Sequence, residues 1–108
     1  MPKLIYIAGP YSVGDVALNV RTAIDTADEL AQLGYIPIVP HLSHFWHMIH
    51  FHTHKFWLDY AKAIIHRCDA VLRLPGFSKG ADAEEEYCVR HSIPLFYSID
   101  ELMGQIHA

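Results

Sequence analysis

The sequence predicts a three-layer α/β/α fold with a parallel sheet, and three observations carry that expectation. Short runs of β-forming residues end in Gly or Pro, and stretches with apolar residues at three- and four-residue steps lie between them. The 108 residues, 52% of them hydrophobic, suffice for one core and leave no room for a second domain, so residues 1–108 are read as a single unit. Strands that alternate with helices are joined by right-handed crossovers, which makes the sheet parallel and covers both its faces.

Residues 3–8, Lys-Leu-Ile-Tyr-Ile-Ala, form the first strand and stop at Gly9-Pro10. From 15 to 33 apolar residues such as Val16, Val20, Ala23, Ala27 and Leu30 recur at helical steps, and Gly34 stands where a C-cap glycine belongs. Residues 35–39 make a second strand, and Pro37 inside it removes a ladder donor, which suits a strand end or a sheet edge. Residues 41–54 are histidine-rich and aromatic without a clear period, after which 56–67 resume a helical pattern through Trp57, Tyr60, Ala61 and Ile64. Residues 69–74 give a third strand, 75–80 a turn, 81–91 a helix, 94–97 a fourth strand and 99–106 a closing helix. The expected architecture is a flavodoxin-like (Rossmann-like) sheet of four to five strands, whose ligands bind beyond the carboxyl ends of the strands at the switch point.

The net charge of -4 comes with no basic run, which argues against a nucleic-acid polymer as partner, since such binding draws its affinity from clustered Lys and Arg. No apolar stretch approaches the ~20 residues that span a bilayer, and Met1-Pro2-Lys3 leads into a strand pattern rather than a signal peptide, so a cytoplasmic protein without membrane partners is expected. Cys68 and Cys88 match neither a redox pair nor a zinc knuckle and read as small buried hydrophobes.

Three loops should meet at one cleft: Gly9-Pro10-Tyr11-Ser12, Pro40-His41-Leu42-Ser43-His44, and the turn from Pro75 to Gly80. Gly9, Gly76 and Gly80 permit close backbone approach, and helices starting near Asp15 and Ala81 aim free N–H groups at the same space, which suits a polar or anionic ligand. The dinucleotide glycine fingerprint and the P-loop lysine are both missing, so no cofactor is expected. Of the three consecutive acids, Glu86 is in register with Arg90 as a solvated pair, whereas Glu84 shares a face with Gly80, Ala81 and Cys88, where small neighbours leave space. Near the positive end of its helix that carboxylate should stay ionised, as a nucleophile requires.

The pattern Ile5-Tyr-Ile-Ala-Gly-Pro-Tyr-Ser12 with Ser78-x-Gly80-x-x-x-Glu84 resembles the nucleoside 2-deoxyribosyltransferase superfamily. The strings Pro40-His-Leu-Ser-His-Phe-Trp-His47, Arg67-Cys-Asp-Ala-Val-Leu-Arg-Leu-Pro-Gly76 and Ser78-Lys-Gly-Ala-Asp82 are similar to a short bacterial and phage branch of it, catalogued as a domain of unknown function. The resemblance implies cleavage or transfer at the N-glycosidic bond of a nucleoside or nucleoside 5′-monophosphate, with Glu84 as nucleophile and Tyr11 orienting it. Gly9, Pro10, Ser12, His41, His44, Trp46, Gly76, Ser78, Lys79 and Gly80 then contact substrate, and the protein is a homo-oligomer. The superfamily's supporting acid on the helix before strand three falls here on Ala61; Asp59, two residues earlier, points ~200° away on an ideal helix and replaces it only if the helix starts late or the alignment slips. Ala61 keeps a second reading open, a non-catalytic module of the same fold that binds a nucleotide-like ligand. A third is a metal-binding protein, because His41, His44, His47 and His50 recur every three residues; pocket lining or subunit packing is the reading preferred for them, with no metal site assigned.

Overall fold

The computed structural model describes residues 2–108. It contains β1 (Leu4–Ala8), α1 (Val16–Gln32), β2 (Ile36–Ile38), a 3-10 turn (Pro40–Ser43), α2 (His44–Ile49), α3 (His54–Ile65), β3 (Ala70–Arg73), α4 (Lys79–Arg90), β4 (Leu95–Phe96) and α5 (Ile99–Gln105). The four strands are all parallel in the order β2-β1-β3-β4, with helices on both faces, as expected of an α/β domain. A fifth strand does not form among the described residues. β2 lies at the edge, where the missing N–H of Pro37 breaks no interior ladder.

Alternation in the strands divides the core in two. Ile5, Ile7, Leu72 and Leu74 pack with Ala23, Ala27 and Leu30 of α1 and Leu102 of α5. Tyr6, Ala8 and Val71 face the other way, onto Ala61 and Ile65 of α3 and Ala81 and Cys88 of α4. Whatever polar group β1 sends to that second side is therefore delivered against α4.

Side chains set the helix starts. Asp15 accepts from the Leu18 amide, Thr53 from Phe56 and Ser78 from Ala81, each an N-cap that satisfies an orphan donor. The Ser78 cap starts α4 at Lys79, two residues earlier than the periodicity of 81–91 predicts, and so carries Gly80 into its first turn. Gly34, with φ +97°, follows the C-cap of α1 in the left-handed region glycine tolerates. The aperiodic stretch over 41–54 resolves into the 3-10 turn and the six-residue α2, too short to show a period. Among the described residues no helix is long and apolar enough to cross a membrane.

Candidate functional site

In this strand order the chain reverses direction between β1 and β3, and loops leave both at their carboxyl ends. There a cavity of about 700 Å³ opens, walled by the β1–α1 loop, the 3-10 turn, one face of α3 and the first turns of α4. Of the expected contacts, Gly9, Tyr11, Ser12, His41, Ser78, Lys79, Gly80 and Glu84 all border it, although they come from three separate stretches of sequence.

Glu84 stands in the second turn of α4, 9% exposed, on the cavity wall. Tyr6 donates its hydroxyl to Glu84 Oε2 at 2.5 Å from the centre of β1. Burial pushes the Glu84 carboxyl up to about 7, against the lowering effect of the Tyr6 hydrogen bond and of the nearby Arg73 charge. This corrects the expectation of a freely ionised first-turn acid, because loss of solvent outweighs the helix dipole. Tyr6 in turn is held well above its ordinary value, first by burial and then by the adjacent carboxylate.

The expected orienting residue was Tyr11, and the structure corrects this too. Its hydroxyl pairs with His44 Nδ1 at 2.5 Å, joining the β1–α1 loop to the start of α2 and leaving Glu84 to Tyr6. Residue 6 was passed over because a tyrosine in an apolar strand reads as core; the signal available was that it is the strand's one residue with a polar tip on the α4 side. Asn19 was also missed: its amide donates to the carbonyls of Tyr11 at 2.9 Å and Val13 at 2.8 Å, which fixes the loop.

His41 is buried, and its Nε2 meets the Pro10 carbonyl at 3.0 Å. A carbonyl can only accept, so Nε2 carries the proton; burial lowers the basicity of the ring, against the raising effect of the backbone carbonyls of Pro10 and Gly9. Its Nδ1 has no hydrogen-bond partner. Arg73, also buried, donates to the Leu74 carbonyl, to Gly76 O at 3.0 Å and to Asp82 Oδ1 at 3.0 Å. Through its two terminal nitrogens it therefore clamps the β3–α4 loop over the sheet, while its Nε has no hydrogen-bond partner and lies 3.6 Å from Glu85 Oε2.

Five of the expected site residues lie off the cavity lining. Asp59 is exposed and paired with Lys55 at 2.5 Å one turn back, and that cation holds its carboxyl below the usual range; α3 starts at His54, so the late start that would turn Asp59 inward does not occur. Ala61 occupies the wall instead. Trp46 packs edge-on against Phe56, Trp57 and Tyr60 behind the lining. His44 reaches the site only through Tyr11. Pro10 and Gly76 are scaffolding: a Cβ on Gly76 would come within 2.8 Å of Pro10 Cγ, and its φ of +114° is one that glycine tolerates. In their place α3 presents His54, Trp57, Leu58 and Ala61 to the cavity, one stripe at helical spacing.

The histidines do not converge. His41, His44 and His47 bond to Pro10, Tyr11 and Trp57 respectively, and among the described residues no three His, Cys, Asp or Glu side chains are grouped to hold a metal ion. Cys68 and Cys88 are unpaired, and burial raises both thiols to about 11.

The chain matches a family model described as Domain of unknown function (DUF7768) over residues 3–98, and it belongs to that family. No curated protein matches the sequence.

Proposed function

We propose that this DUF7768 protein cleaves or transfers at the N-glycosidic bond of a nucleoside or nucleoside 5′-monophosphate through Glu84. One observation carries the reading: a buried carboxyl, held by a tyrosine hydroxyl, on the wall of a cavity at the carboxyl ends of parallel strands. In its ionised form Glu84 attacks C1′ while the bond to the base breaks, and water or a second base then resolves the glycosyl ester with retention. Tyr6 fixes which carboxylate oxygen faces the sugar, because Oε2 is occupied by its hydroxyl. Ser78, Lys79 and Gly80 at the start of α4 would bind sugar hydroxyls or a phosphate.

The test is base release from ribo- and deoxyribonucleosides and their monophosphates, with and without an acceptor base. Glu84→Ala is expected to lower release by at least about a thousandfold. Full activity in that variant would remove Glu84 from the mechanism.

A binding module is the second reading, favoured by Ala61: among the described residues Glu84 is the single carboxylate on the lining. Thermal stabilisation by nucleosides without any base release would select it. With either reading we propose a cytoplasmic homo-oligomer. The free thiols suit a reducing compartment, and Phe45, Met48, Ile49 and Phe51 leave large apolar surfaces uncovered.

A further inference from the structure

We infer that His54 is the general acid that protonates the departing base and the general base that activates the acceptor, an assignment that rests on the N-glycosidic reading. The base leaves C1′ with the electron pair of the broken bond and needs a proton, yet among the described residues the cavity holds no carboxyl besides Glu84 to give one. Four histidines line the cavity, and three have their rings engaged. His41 Nε2–H is held by the Pro10 carbonyl. His47 Nδ1 accepts the Trp57 indole N–H at 2.8 Å, and the His52 ring stacks on Phe56 at 3.8 Å between centroids. The His54 side chain makes no hydrogen bond among the described residues.

Its position fits the task. His54 opens α3, held by the Thr53 cap, and lies seven residues before Ala61, so the two share the cavity face of that helix. The ring carbon between its two nitrogens, Cε1, stands 3.8 Å from where a Cβ on Gly80 would be. Gly80 and Glu84 are four residues apart on one face of α4, a rise of about 6 Å at ~1.5 Å per residue. Gly80, having no side chain, leaves the space between His54 and Glu84 open. The helix that offers Ala61 where an acid was expected thus supplies a proton carrier from its first turn.

In the first step a Glu84 oxygen bonds to C1′, the C1′–N bond breaks with its pair going to the base nitrogen, and the His54 imidazolium passes one proton to the base. In the second, neutral His54 takes a proton from water, or from the N–H of an acceptor base, as that atom bonds to C1′. The ester bond to Glu84 breaks at the same time, restoring carboxylate and imidazolium.

The test compares base release in the first turnover, before the acceptor step that both substrates share, in wild type and His54→Asn on two substrates: the nucleoside turned over fastest, and its counterpart alkylated on the base ring, whose base departs neutral without gaining a proton. His54→Asn is expected to slow the first at least about a hundredfold and the second by no more than a few-fold. Equal losses on both, or no loss on the first, would overturn the assignment and leave Glu84 in place. A wild type that releases base from neither substrate would overturn the N-glycosidic reading and this assignment together. His54 is exposed, so a melting temperature equal to wild type is expected and checks that the variant is folded.

Discussion

At the scale of single residues the Tyr6–Glu84 pair governs the expected pH behaviour. With its carboxyl at about 7, Glu84 is roughly half ionised near neutrality, so base release from the alkylated nucleoside, which needs no proton from His54, should rise from pH 6 to 8 and then level off. Tyr6→Phe removes a hydrogen bond that favours the ionised form. A bond of that charged kind is worth ~1.5–3 kcal/mol, so the midpoint of the profile should move up by at least about one pH unit, and release at pH 7 should fall. A pH–rate profile of both proteins checks this; coincident midpoints would mean that Tyr6 does not set the ionisation of Glu84.

Among the elements, α4 and the loop before it carry the site. Ser78 caps the helix whose first turn holds Gly80, and Ser78→Ala should cost about 1 kcal/mol of stability while raising KM more than it lowers kcat. Gly76→Ala meets two obstacles, a left-handed φ of +114° and the Pro10 ring at 2.8 Å, and should destabilise by more than about 1 kcal/mol. Denaturant unfolding measures both. Asp59→Ala, by contrast, removes only a surface pair with Lys55 and should leave unfolding as in wild type.

For the molecule as a whole, Glu84 makes stability fall as pH rises. Below its ordinary value of 4.5 the carboxyl is protonated in folded and unfolded chains alike, and its burial carries no charge penalty. Between 4.5 and about 7 the unfolded chain ionises first, so the folded state loses about 3 kcal/mol in all, and above that range the penalty stays constant. Glu84→Gln should remove this slope and be more stable than wild type at pH 8, as urea titrations at several pH values would show. The uncovered apolar side chains of α2 give a second test at this scale. Sedimentation should find an oligomer, and Phe45→Glu with Ile49→Glu should dissociate it if α2 is the contact surface.

The sequence by itself determined the order and type of the four strands and of α1, α3, α4 and α5, and the parallel sheet, because these follow from local periodicity and turn residues; the missing donor of Pro37 narrowed β2 to a strand end or a sheet edge, and the 3-10 turn and α2 were not legible. It also singled out Glu84 from Glu85 and Glu86, since helix geometry alone separates their faces. Only the tertiary structure decided that Tyr6 rather than Tyr11 bonds to Glu84, that Asp59 faces solvent and that His54 stands beside Gly80. Those outcomes depend on which strand side and which helix face meet across 78 residues of sequence in the Tyr6–Glu84 bond, a distance over which no periodicity reports. The balance between burial and dipole at Glu84 was likewise invisible beforehand, because solvent is excluded by the packed whole and not by any one segment.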